Sequence, residues 1–373
     1  MPATKYRGTP SAFFCLCLLL LFAGDLHRVR AETNSESARE SPIKPTTAVK
    51  PEISDRTRAV RGVYLSAASV GMRGAESTAR FLKSAGLNAA AIDFKGGDGR
   101  VTEPLPGQAP TAKRPITKEL LAKLDELGVY TIARIVCFSD PILPRAHPER
   151  AVIDGRPNKH GHVWADWGNR NTWLDPYHPA NQQMVIDLAK RAETLGFREV
   201  QLDYIRFPVD EATTFAVFPS QTTQTRAELL TELMRRVDAA IDIPLGVDVF
   251  GTTAFQFESQ DQLGQDPKEW MQHVQVFSPM LYMNKMSNYM KPGPRRAERL
   301  VRLAVSRMRA QVGPTPVIRP FLQAFERGAD YFTPEFIVEQ VKGARDGGAD
   351  GYLFWDPGAK YSIVREAHNA KPM

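Results

Sequence analysis

Eight short strand-type runs recur between residues 60 and 355, and nearly every one is followed by a segment of helical period. Strands that alternate with helices return to the same side of a sheet, so they pair in parallel. The strands read as Val60–Ser66, Leu87–Lys95, Val129–Phe138, Glu199–Phe207, Ile243–Phe250, Val274–Tyr282, Val317–Ala324 and Gly351–Trp355. Helical period appears over Ala75–Ser84, Thr117–Leu127, Pro179–Leu195, Arg226–Ala240, Ala297–Arg309, Pro334–Ala344 and Ser362–His368. The pattern predicts an α/β fold, a single closed (β/α)8 TIM barrel over residues 58–373. The competing architecture is an open doubly wound sheet, which normally carries a G-x-G-x-x-G turn after an early strand. Lys95-Gly-Gly-Asp-Gly after the second strand lacks that form and reads better as a hairpin turn.

Two segments precede the barrel. Residues 1–31 read as a secretory signal: Lys5 and Arg7, an apolar run centred on Phe13–Phe22, then Val29-Arg-Ala. The run is short for a membrane span, which needs about 20 apolar residues, so no stable span is expected after cleavage. An uncleaved anchor is the alternative, because Arg28 and Arg30 lie close to the cleavage point. Residues 32–57 are polar and aperiodic, as expected of a disordered linker. Only Cys137 remains beyond residue 31, so the mature chain forms no internal disulfide, which fits a secreted or periplasmic bacterial protein. Of the net charge of +6, half belongs to the first 31 residues. No charge run points to nucleic acid.

Charge collects where the strands end. The fourth strand has Gln201, Asp203 and Ile205 on one face and Val200, Leu202 and Tyr204 on the other, and Pro208 predicts its end near Phe207. Asp93 and Lys95 end the second strand, Asp203 and Arg206 the fourth, Asp248 the fifth. Tyr282 ends the sixth, Gln323 and Glu326 the seventh, Trp355 and Asp356 the eighth. The opposite ends carry few such groups. In a barrel all strand C-termini share one face, so these side chains are expected around one pocket. Paired carboxylates suit glycoside cleavage, where one is protonated and the other ionised. Asp203 and Asp248, on neighbouring strands, are the candidate pair. The segment Ser139–Tyr177 adds Trp164, Trp167 and Trp173, expected either as sugar-stacking surfaces or as a lid with its own core. His160-Gly-His162, near Asp166 and Asp175, lacks the spacing of a zinc site, and neither metal nor cofactor is expected.

Several stretches carry a resemblance: Arg61-Gly-Val-Tyr-Leu, Asn88-Ala-Ala-Ala-Ile-Asp-Phe-Lys, Trp173-Leu-Asp-Pro-Tyr, Gln201-Leu-Asp-Tyr-Ile-Arg-Phe-Pro, Gly246-Val-Asp-Val-Phe-Gly, Pro279-Met-Leu-Tyr and Phe354-Trp-Asp. Over residues 59 to 360 the chain resembles the bacterial putative glycoside hydrolase domain family of glycosidase-like (β/α)8 barrels. That family is more distantly similar to the α-amylase and α-galactosidase barrels, whose nucleophile is an Asp ending the fourth strand. The resemblance implies Asp203 as nucleophile. Amylases place an Arg two residues before it and a Glu at the end of the fifth strand, where this chain has Gln201 and Asp248. The acid/base role therefore stays open between Asp248, Glu326 and Asp356.

The expectation is an exported glycoside hydrolase acting on a polysaccharide or oligosaccharide, with Asp203 and Asp248 catalytic. Asp93, Lys95, Trp173, Arg206, Tyr282, Gln323, Trp355 and Asp356 are the expected substrate contacts. The alternatives are a carbohydrate-binding or envelope polysaccharide-assembly protein without turnover, and a metal-dependent deacetylase.

Overall fold

Every barrel strand pairs in parallel with its neighbour in sequence, and the last returns to the first. The computed structural model describes residues 53–106, 115–165, 171–209, 213–255 and 259–372. The expected signal segment and the lead-in as far as residue 52 lie outside them, as do Asp166 and Trp167. The strands are β1 Arg61–Leu65, β2 Ala89–Lys95, β3 Tyr130–Val136, β4 Glu199–Asp203, β5 Leu245–Phe250 and β6 Val276–Leu281. They continue with β7, in two pieces at Val317–Ile318 and Phe321–Gln323, and β8 Tyr352–Trp355. Closure comes from Arg61↔Tyr352, Gly62↔Leu353 and Val63↔Phe354. The closed eight-stranded barrel with its surrounding helices is the expected (β/α)8 fold.

The helices begin and end where local chemistry dictates. Thr225 and Glu228 form a reciprocal capping box before Arg226–Asp238. Gly196, at φ 111°, closes Pro179–Leu195 in the left-handed region that a Cβ disfavours. Ala67–Ser84 starts one full segment earlier than its period indicates, because Gly74, at φ 73° and ψ 173°, breaks it in two. Between β5 and β6 the described residues make short helical pieces, Gly251–Ala254, Ser259–Leu263 and Pro267–Trp270. No described helix is long and apolar enough to cross a membrane.

Apolar side chains form two cores. Ala89, Ala91, Tyr130, Ile132, Phe321 and Leu353 fill the barrel's interior. A larger layer between strands and helices contains Ile92, Phe94, Ile135, Leu202 and Val247. Successive residues alternate between the two, as the strand period requires.

The floor of the barrel corrects one expectation, that charge is scarce at the strand N-termini. Glu199, which opens β4, pairs with Arg319 at 2.8 Å, and both side chains are wholly buried. Arg319 occupies the break between the two pieces of β7 and also donates to the Thr57 carbonyl at 2.9 Å. The Tyr130 hydroxyl is 3.2 Å from Glu199 Oε2. Residues at the end of the polar lead-in take part: Asp55–Arg58 form a helical turn and Thr57 is buried.

Candidate active site

β4 ends at Asp203, four residues before the Phe207 limit read from the sequence. Tyr204 has φ 49°, an uncommon conformation for a residue with a Cβ. The left-handed turn interrupts the alternation, and Tyr204 both packs on Trp173 and lines the cavity. Its N–H donates to Asp203 Oδ1 at 2.6 Å. Non-glycine residues in this region cost about 1 kcal/mol or more and concentrate at functional sites.

The organising side chain at the mouth is Arg134 on β3. It donates through Nε at 3.0 Å and Nη2 at 2.5 Å to Asp203 Oδ2, and through Nη1 at 2.6 Å to Asp93 Oδ1. Asp93 Oδ2 accepts from the Tyr64 hydroxyl at 2.7 Å. The guanidinium carbon lies 5.2 Å from the Tyr64 ring and 5.0 Å from the Trp355 ring, and the two rings stack with centroids 4.2 Å apart. Burial opposes the charge on Arg134, but the Asp203 and Asp93 carboxylates hold its pKa well above the usual value. Burial pushes the Asp93 carboxyl up against the opposing pull of Arg134 and Tyr64. Burial, reinforced by the Asp93 charge, keeps the Tyr64 phenol protonated.

A cavity of about 400 Å³ opens beside this cluster. Tyr64, Asp93, Arg134, Tyr204, Trp355 and the Gly96–Gly97 turn line it. Its size falls among ordinary small-molecule sites, roughly 300–1,000 Å³.

Asp248 lies deeper. Leu202 is in register with Val247, so Asp203 and Asp248 follow at one level on adjacent strands. Asp248 is 1 % exposed, and among the described residues neither of its oxygens has a hydrogen-bond partner. Burial first, then the negative charge of Asp203, push its carboxyl well above the usual carboxylate range. Tyr282 stands in the same field: burial and the Asp248 and Asp203 charges push its phenol up. Beneath them Gln201 donates to Ser278 at 2.9 Å. The two acids thus have opposite surroundings, one gripped by a cation and the other buried without a hydrogen-bond partner among the described residues.

Other expected substrate contacts are placed differently. Lys95 is wholly buried, bound to Asp140 Oδ2 and the Val136 carbonyl at 2.8 Å each, because a register shift after Asp93 turns it away from the cavity. Gln323 is also wholly buried and donates to the Phe325 and Arg327 carbonyls, fixing a turn. Trp173 is 2 % exposed and stacks with buried Arg206, which also faces Tyr204 and Phe250, so neither offers an open face to a sugar. Trp164 is buried too, so these two tryptophans belong to a lid core. Asp356 Oδ1 accepts from the Gly358 and Lys360 N–H groups and holds its own turn. Glu326 is exposed on a turn. His160 and His162 are exposed, and among the described residues no group of three or more metal-binding side chains occurs. The sequence reading did not single out Arg134 or Tyr64, although strand period places Arg134 on the face of Tyr130 and Ile132.

Residues 62–361 match the family model described as "Putative glycosyl hydrolase domain". The chain belongs to this family. Its function class, in the family's terms, is glycoside hydrolysis. A comparison with curated proteins returns no match. Among solved structures, the glycoside hydrolase domain of PgaB (BpsB) from Bordetella bronchiseptica is 14% identical with a TM-score of 0.60, covering 83% of this chain and 98% of that one. The α-galactosidase TtGalA from Thermus thermophilus, in complex with stachyose, is 14% identical with a TM-score of 0.53, over 86% of this chain and 66% of its own. An α-amylase from Lactobacillus plantarum is 14% identical with a TM-score of 0.52, over 86% and 81%. At these identities the likeness is one of fold.

Proposed function

We propose that this family member is an exported hydrolase of glycosidic bonds in a polysaccharide, with Asp203 as nucleophile or charge stabiliser and Asp248 as proton donor. The observation that carries the reading is the contrast between the two acids. Arg134 and the Tyr204 N–H grip Asp203, whereas Asp248 has no polar partner among the described residues and its pKa is raised. Glycoside cleavage needs one ionised and one protonated carboxyl, separated by their environments. Trp355 and Tyr64 supply an aromatic wall for a sugar ring, and export rests on the apolar segment at 1–31.

One observation favours a second reading. Asp248 is 1 % exposed, and neither it nor Asp203 lines the open cavity, as fits a carbohydrate-binding barrel without turnover. A single experiment separates the two. The protein from residue 32 onward is incubated with bacterial exopolysaccharides, α-glucans and α-galactosides, and reducing ends are counted, with Asp203→Asn and Asp248→Asn alongside. Hydrolysis by wild type, lost in both variants while glycan binding persists, supports the enzyme. Binding without reducing-end release by wild type replaces it with the second reading.

A further inference from the structure

The hydrogen bonds on Asp203 are unequal. Oδ2 takes two donors from Arg134, at 3.0 and 2.5 Å, which fills both of its lone-pair directions. Oδ1 takes the Tyr204 N–H at 2.6 Å, which fills one. The guanidinium's third contact is Nη1 on Asp93 Oδ1, at 2.6 Å. Asp93 in turn has its other oxygen held by the Tyr64 hydroxyl. Asp93 lines the cavity, yet its side chain is only 12% exposed and both of its oxygens are engaged by protein donors. That is a poor arrangement for gripping a sugar hydroxyl and a good one for holding an arginine.

Resting on the hydrolase reading above, we infer that Asp93 is a positioning residue that acts through Arg134, saturating Asp203 Oδ2 and leaving Oδ1 as the attacking oxygen. A lone pair of Oδ1 forms the bond to the anomeric carbon while the glycosidic C–O bond breaks. The leaving oxygen keeps that electron pair and takes the proton of the Asp248 carboxyl. Water then attacks the same carbon and gives a proton back to Asp248, and the ester's electron pair returns to Oδ1. Atoms and charge balance: one glycoside and one water become a hemiacetal and an alcohol.

The test has two arms. In the first, the panel glycan that wild type cleaves fastest is used with Asp93→Asn, Arg134→Met and the double variant. Asp93→Asn is expected to lower kcat by about a hundredfold with KM within about threefold of wild type, as for loss of an interaction made in the transition state. In the Arg134→Met background the same change is expected to alter kcat by less than about threefold, because its target is gone. A raised KM with unchanged kcat, or an Asp93 effect that persists without Arg134, overturns the inference and makes Asp93 a sugar contact. The second arm needs no substrate. The full chain is labelled with 15Nε-arginine, and the Arg134 Nε–H resonance is assigned by its loss in Arg134→Met. In Asp93→Ala that resonance is expected to shift and exchange with solvent. Tyr64→Phe, which removes one hydroxyl, is expected to move it in the same direction and serves should Asp93→Ala not fold. An unchanged resonance in a folded variant refutes positioning by Asp93 even where hydrolysis stands. Absence of all turnover in wild type removes the hydrolase reading and the attacking-oxygen step with it, and the second arm still decides whether Asp93 orients Arg134.

Discussion

Replacing Asp248 by Asn removes a carboxyl whose pKa the fold raises above its value in the unfolded chain. In the unfolded chain an Asp titrates near about 3.9. In the barrel, burial and the Asp203 charge move it well above that range. Between those two values the native state binds one proton more than the unfolded state. Stability therefore falls as pH rises through this window, by about 1.4 kcal/mol per pH unit, and levels off above the native pKa. Two pH units inside the window amount to roughly 2–3 kcal/mol. Asp248→Asn abolishes this contribution. Asp93, whose carboxyl is also pushed up by burial, keeps its own share in both proteins, so the diagnostic is the difference between the two pH curves. The new amide, like the carboxyl it replaces, has no hydrogen-bond partner among the described residues, so the pH-independent offset stays within about 1–3 kcal/mol. The offset between the curves can take either sign; the difference in slope cannot. Urea unfolding followed by tryptophan fluorescence between about pH 5 and pH 8 reads it directly. The variant gains stability relative to wild type as pH rises. Parallel curves would refute the claim that the fold raises the Asp248 pKa.

Two further substitutions test other parts of the structure. Lys95→Met strands the wholly buried Asp140 carboxylate and is expected to cost about 3–5 kcal/mol in urea unfolding while leaving KM for glycan unchanged; a raised KM at near-normal stability would return Lys95 to the substrate site. Gly246→Ala puts a Cβ 3.1 Å from Glu199 Oε1 and 3.4 Å from the Val200 carbonyl. It is expected to lower stability by about 1–3 kcal/mol through the Glu199–Arg319 pair, and a neutral result would mean that the floor has slack.

What the sequence made legible follows from its strong periods. Alternation along β2 and β4 places Ala89 and Ala91 inward and Leu202 outward, and register then brings Asp203 and Asp248 to one level. Other features had no local signature. The left-handed Tyr204 carries no glycine or asparagine signal, so β4 read four residues too long. Composition cannot tell a packed tryptophan from an exposed one, and Trp173 proved to be the former. Lys95 sits where period aims it at the pocket, but the register shift after Asp93 depends on partner strands. Arg134 did carry a local signal. An arginine inside the apolar run Tyr130-Thr-Ile-Ala-Arg-Ile-Val is costly to bury without a partner, which is itself a signal. The Glu199–Arg319 pair spans 120 residues, and only the folded chain brings its halves together.

The role of Asp203 as nucleophile is tested most directly by azide. Asp203→Gly leaves room for a small anion where the carboxylate stood. With the glycan that wild type cleaves, added azide is expected to raise the variant's rate about tenfold or more and to yield a glycosyl azide of inverted anomeric configuration. Absence of rescue, or a glycosyl azide of retained configuration, would contradict the assignment.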